Sequence, residues 1–324
     1  MPTTSIVTAG PSRAGTNPAL ASLLAGALAI ALAPILVRVS ELEPVATAFH
    51  RLVIALPFFW LGMLAEREAP RAAGKPAAGT PAAGRPVTPA DMALMGLAGM
   101  MLAGDLALWH LSITMTSVAK ATLFNNCAPV FVALFGWLLF GERIGLGLIV
   151  ALAVSLSGMA LLIGGGLVEG GLVAPVGSAA EGQWRGDAVA VGTAAFYAVY
   201  LMAVKRLRAG HSTSVIMAGS SAAAALVLAA AAWIEGGPLL PATAWGWAVV
   251  LALGVACHVI GQGLITHALA HLPVTFSSIG LLIQPVAAAG LAWMLFGEAL
   301  GPLQWLGGGL ALAGITLARR GSGR

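Results

Sequence analysis

The chain has 324 residues, of which 59% are hydrophobic and only 9% charged. A soluble domain carries about 25% charged residues, so this chain has too few to cover a water-facing surface. That excludes a soluble enzyme, a disordered chain, a coiled coil and, despite a pI near 9.6, a conventional nucleic-acid binder.

Runs of about 20 apolar residues cross a bilayer as helices. Continuous runs, rather than ten-residue alternating segments, argue against a β-barrel. In chain order the sequence predicts a disordered tail over 1–18, then ten spans near 19–37, 45–64, 92–112, 119–140, 144–165, 187–205, 214–234, 245–268, 274–296 and 302–319, and a short tail over 320–324. The first span resembles a signal peptide, but Pro34 follows its Ala31-Leu32-Ala33 site and argues against cleavage. Loops 65–90 and 166–186 are rich in Gly, with Pro and Ala in the former, and read as flexible linkers. The fold class expected is an all-α integral membrane protein.

Orientation follows the Lys/Arg bias. With the N-terminus inside, 12 of the 16 basic residues fall on the cytoplasmic side and 3 (Arg38, Lys120, Arg185) outside, leaving Arg51 within a span. Both termini are therefore expected in the cytoplasm of a bacterial inner-membrane protein, with the 166–186 linker in the periplasm. The net charge of +4 records topology and calls for no acidic partner.

The chain repeats itself. Residues 129–142 and 285–298 are identical at eight of 14 positions at a constant offset of 156. The matches include Pro129/Pro285, Trp137/Trp293, Gly141/Gly297 and Glu142/Glu298, and the same offset pairs Gly145 with Gly301 and Gly158 with Gly314. The chain thus divides into two five-helix halves, 19–165 and 187–319. An odd number of spans per half turns the second upside down, and inverted repeats of this kind build many secondary transporters.

Ten spans, Arg51 in the second, and Pro-x11-Gly-Glu closing the fourth and ninth together resemble the EamA-type branch of the drug/metabolite transporter superfamily over nearly the whole chain. The resemblance implies export or exchange of small metabolites, often amino acids, across the bacterial inner membrane. The small multidrug-resistance branch relies on an acid in its first span. Residues 19–37 here contain none, so that mechanism does not carry over.

Charges inside a span are costly and mark function by default. Only Arg51 and Asp105 lie deep within the predicted spans. At ~1.5 Å per residue Arg51 falls about 9 Å, and Asp105 about 10 Å, below the outer boundary, one shared layer that Asn125 and Asn126 also approach. A structural ion pair, an outer gate and direct contact with substrate are all open for the two charges. Nearer mid-depth, Tyr197 and Tyr200 share a face at i, i+3. Asp105 and Trp109 share one at i, i+4, as do His258 and Gln262, and Gln284 precedes Pro285. Pro129 and Pro285 each free a backbone carbonyl and mark helix breaks or hinges. Each polar residue has a structural alternative as an interhelical hydrogen bond. His50 and His258 read first as packing residues, and His211, His267 and His271 as solvated. Glu142 and Glu298 read as helix-end acids; Trp60, Trp233, Trp245, Trp247 and Trp305 read as interfacial anchors.

The partners implied are a small-molecule substrate and the lipid bilayer, with protons a candidate coupling ion through Asp105 or His258 and the oligomeric state open. The cysteines, Cys127 and Cys257, number too few for a disulfide framework or a zinc site. No His/Cys/Asp/Glu cluster has ligand spacing, so neither a metal nor a cofactor is expected. An intramembrane enzyme using Asp105 with a histidine, a channel and a transporter of nucleosides or drugs stand as alternatives.

Overall fold

The computed structural model describes residues 13–73, 86–115, 124–140, 145–168, 183–296 and 300–321. These form ten membrane helices in chain order. Span one is Arg13–Ile30 continued by Ala33–Arg38; spans two and three are Pro44–Ala73 and Pro89–Met115. Span four is Ala128–Phe140, five Leu146–Val168, six Gln183–Leu207 and seven Thr213–Glu235. Span eight joins Ala244–Ala252, a π-helical stretch Leu253–Gln262 and Gly263–Ala268. Span nine joins Val274–Gly280 and Ile283–Phe296, and span ten is Pro302–Gly321. Among the described residues eight helices are long and apolar enough to cross a membrane.

Several helices outrun their apolar stretches. Span one is helical from Arg13, inside the stretch expected as a tail, and span two continues through Glu66 and Arg67 to Ala73. A helix satisfies its own backbone, so it can continue where charged residues leave the membrane. Residues 1–12, 74–85 and 169–182 of the expected tail and linkers lie outside the described residues, as do Glu142 and Glu298.

Local chemistry sets the ends. Ser212 and Thr243 cap spans seven and eight, their hydroxyls accepting from Val215 and Gly246 N–H. Span seven ends at Gly236, whose φ of 76° is reached without strain only by a residue lacking Cβ. Thr88 and Asp91 form a reciprocal cap on span three: Thr88 N–H and Oγ donate to Asp91 Oδ2 (3.0 and 2.7 Å), and Asp91 N–H donates to Thr88 Oγ.

Packing carries the internal symmetry. Span five lies along span ten in the most extensive helix pair of the molecule. Span three packs on six as eight packs on one; three meets seven as eight meets two; four meets six as nine meets one. Spans two and seven, and four and nine, pair across the axis. Exchanging each helix with its repeat partner leaves this set of neighbours unchanged, as two inverted repeats require. The symmetry reaches single atoms. A Cβ placed on Gly158 would lie 2.6 Å from Gly307 O, and one placed on Gly314 would lie 2.7 Å from Ala151 O. Gly158/Gly314 and Ala151/Gly307 are both pairs at the repeat offset.

Contacts at the two ends agree with ten antiparallel spans. On the side of the termini Ser214 Oγ donates to Glu66 Oε1 (2.8 Å), Lys205 Nζ donates to the carbonyls of Leu269 and Leu272 (2.7 and 2.9 Å), and His211 faces Asp91 at 3.1 Å. His211 is a correction to the sequence reading: expected in solvent, it is buried, its carbonyl taking Arg208 Nη1 at 2.6 Å. On the opposite side Glu41 accepts from Ala242 N–H, Thr243 N–H and the Thr243 hydroxyl at the head of span eight.

These donors, the Thr243 hydroxyl foremost, hold the Glu41 carboxyl below its ordinary value of 4.5. A carboxyl lowered in the folded state adds stability above its unfolded value and loses it as pH falls through the folded one. Glu41→Gln should therefore lower the melting temperature at pH 7, with the difference closing below about pH 4. A difference that does not shrink as the pH is taken well below that value would rule this account out.

Candidate functional site

Span two places Arg51, and span three Asp105, toward the second half. Asp105 is 7% exposed and Arg51 half-buried. The two charges act on each other through space. Yet among the described residues Asp105 Oδ1 and Arg51 Nε, both buried, have no hydrogen-bond partner. A buried carboxylate oxygen and a buried guanidinium nitrogen thus stand unbonded within the field of each other's charge.

The second half supplies a satisfied network beside them. The rings of Tyr197 and Tyr200 stack at 5.8 Å with 22° between their planes, as their i, i+3 spacing predicts. Gln262 Nε2 donates to Tyr200 Oη at 3.1 Å, and Thr266 Oγ1 donates to Met217 Sδ at 3.2 Å. His258 Nε2 shares a 2.8 Å hydrogen bond with Ser221 Oγ, and its ring stands edge-on to Phe59 at 5.9 Å. His258 is therefore a bonded, buried histidine. Arg51 reaches His258, Tyr197 and Tyr200 electrostatically, and Asp105 reaches both tyrosines.

His258 and Gln262 stand in the ten-residue π-helical stretch of span eight. Wide π turns recur at functional sites. Two glycines let neighbours approach here: a Cβ on Gly261 would lie 2.7 Å from the Ile30 side chain, and one on Gly254 2.5 Å from the Ile54 side chain.

Trp109, Asn125, Asn126 and Gln284 are half-buried. The last three stand at helix breaks. Span four turns at Asn126-Cys127, where Cys127 N–H bonds Phe124 O (3.0 Å), and Pro129 lies in the first turn of the helix that follows. Span nine turns at Leu281-Leu282, where Gln284 N–H bonds Leu281 O (3.0 Å) and Pro285 follows. The two breaks are repeat partners. Span one breaks likewise at Ala31-Leu32, before Pro34.

Sequence reasoning missed Phe59, Met217, Ser221 and Thr266. Thr266 had a signal, since it follows Gln262 by four residues as Gln262 follows His258. Ser221 and Met217 are unremarkable members of an Ala-rich helix and gain meaning only through their neighbours. Among the described residues no three His, Cys, Asp or Glu side chains come together to hold a metal ion.

A charged and aromatic cluster built by both members of an inverted helical repeat, with broken helices in each, is the anatomy of a secondary transporter. The chain belongs to the EamA-like transporter family, whose pattern matches residues 17–164 and again 184–320; it is a multi-pass membrane transporter and not an enzyme. It is 30% identical over 219 residues to the pseudopaline exporter CntI of Pseudomonas aeruginosa strain UCBPP-PA14, covering 67% of this chain and 72% of that one. A probable terminal-alkyne amino-acid exporter of Streptantibioticus cattleyicolor is 31% identical over 62% of this chain and 63% of its own. The threonine/homoserine exporter RhtA of Escherichia coli K12 is 31% identical over 42% of this chain and 44% of its own. A crystal structure 19% identical in sequence overlays 94% of this chain and 99% of its own with a TM-score of 0.71, which shows the shared fold.

Proposed function

We propose that this protein exports or exchanges small amino-acid-like metabolites across the bacterial inner membrane, with both termini in the cytoplasm. The two inverted halves would expose one central site to each side in turn. The observation that carries the reading is the joint authorship of the cluster: Arg51 and Asp105 come from the first half, and Tyr197, Tyr200, Ser221, His258 and Gln262 from the second. A site at such a junction changes access when the halves rock. The three relatives, all exporters and two of them exporters of amino acids, support the substrate class.

In this reading Arg51, Asp105, Trp109, Asn125, Asn126, Tyr197, Tyr200, His258, Gln262 and Gln284 bind substrate or gate its path. Pro129 and Pro285 are the hinges. A single Pro129→Ala or Pro285→Ala change restores one backbone donor and should slow transport several-fold with little change in half-saturation. Equal rates for wild type and both variants would remove the hinge role.

The primary test is counterflow in liposomes, with labelled amino acids and nucleosides, with and without a pH gradient. Saturable, stereoselective counterflow of amino acids is the expected result. Nucleosides alone would change the substrate class, and non-saturable flux would indicate a channel. A dependence of net flux on the pH gradient would make protons the coupling ion.

A further inference from the structure

We propose that Arg51 and Asp105 act as two poles of one clamp for a zwitterion, Asp105 taking the ammonium and Arg51 the carboxylate of an α-amino acid head group. The inference deepens the reading of the protein as a metabolite exporter and rests on it.

Tyr200, Gln262, His258, Ser221 and Thr266 already spend their hydrogen bonds on one another or on Met217. Beside them stand two opposite charges, each with a buried valence open: Asp105 Oδ1 and Arg51 Nε. Such valences are expensive in a low-dielectric interior, and the ordinary remedy is a direct, hydrogen-bonded ion pair. Here the charges feel one another but leave those atoms unbonded. A ligand carrying both signs a few ångströms apart satisfies both with charge-assisted hydrogen bonds. A lone cation leaves Arg51 Nε open, a lone anion leaves Asp105 Oδ1 open, and a neutral solute leaves both. Half-buried Tyr197, stacked on fully buried Tyr200 and within the field of both charges, offers the apolar contact that the rest of such a molecule needs.

The test uses the full-length protein in liposomes and measures competition against the amino acid that counterflows best from the full set of twenty. Its competitors are the same amino acid unlabelled, its methyl ester (ammonium only) and its N-acetyl derivative (carboxylate only). Each one-pole derivative should compete at least tenfold more weakly, since a hydrogen bond to a charged group contributes about 1.5–3 kcal/mol. Asp105→Asn should narrow the gap for the N-acetyl derivative alone, and Arg51→Gln the gap for the methyl ester alone. A structural role would weaken all three competitors by one factor.

Equal competition by the derivatives, or uniform weakening in both variants, overturns the clamp while leaving an amino-acid exporter. Counterflow of nucleosides or one-pole solutes without free amino acids overturns the clamp and leaves a transporter of another class. Folded protein that moves no solute overturns the export reading itself.

Discussion

Gly158→Leu and Gly314→Leu should each prevent accumulation of folded protein. Spans five and ten meet along most of their lengths, and at the two glycines backbone rests on backbone. A Cβ at Gly158 would lie 2.6 Å from Gly307 O and 2.8 Å from the Leu310 carbonyl carbon; one at Gly314 would lie 2.6 Å from Ser155 N and 2.7 Å from Ala151 O. No rotamer relieves a clash at the first carbon, so a leucine must push the helices apart. Small residues hold membrane helices at such distances, and overpacking of this kind costs about 3 kcal/mol or more. Size-exclusion profiles and melting curves in detergent would report it. Gly145→Ala and Gly309→Ala, with nothing within 4 Å of the added carbon, should behave as wild type. A monodisperse Gly158→Leu protein melting within about 2 °C of wild type would show that this packing is not needed.

Arg51→Leu or Asp105→Leu, made singly, should cost about 1–3 kcal/mol of stability, less than the loss of one partner from a directly bonded buried pair. Each leaves the opposite charge alone in the interior. The double variant removes both charges and should be more stable than either single one, while counterflow is lost in all three. A double variant whose melting temperature falls by the sum of the single losses would show the two charges to be energetically independent. The cycle separates what the charges do for folding from what they do for transport, because only the first recovers in the double variant.

The ten spans were readable because apolar length is a strong signal in a chain with so few charges. The repeat was readable because Pro, Trp and Glu recur at one offset where composition alone would align Ala, Leu and Gly. Arg51 and Asp105 stood out for the same reason, and the tyrosine pair followed from helical spacing. Other features left no such mark. The π-helical turns of span eight run through Leu253–Gln262, where nothing in the residue pattern separates a π turn from an α turn. The break in span one needed Pro34 to be read as a bend and not merely as an obstacle to cleavage. His211 was misread because proximity to a helix end suggested water, whereas Asp91 of another span covers it. Ser221, Met217 and Phe59 belong to the cluster through tertiary contact, which a single sequence does not display.

The exchange symmetry of the helix contacts bears on how the protein is made. The principal neighbours of spans one, two, three and five all lie in the second half. As the first five helices leave the ribosome, the faces they will later bury meet only lipid, and Arg51 and Asp105 enter the bilayer before Tyr197 or His258 has been translated. Assembly of the early helices must therefore wait for the later ones. Either half expressed alone should be cleared by membrane proteases, and co-expression of the two as separate chains should rescue both.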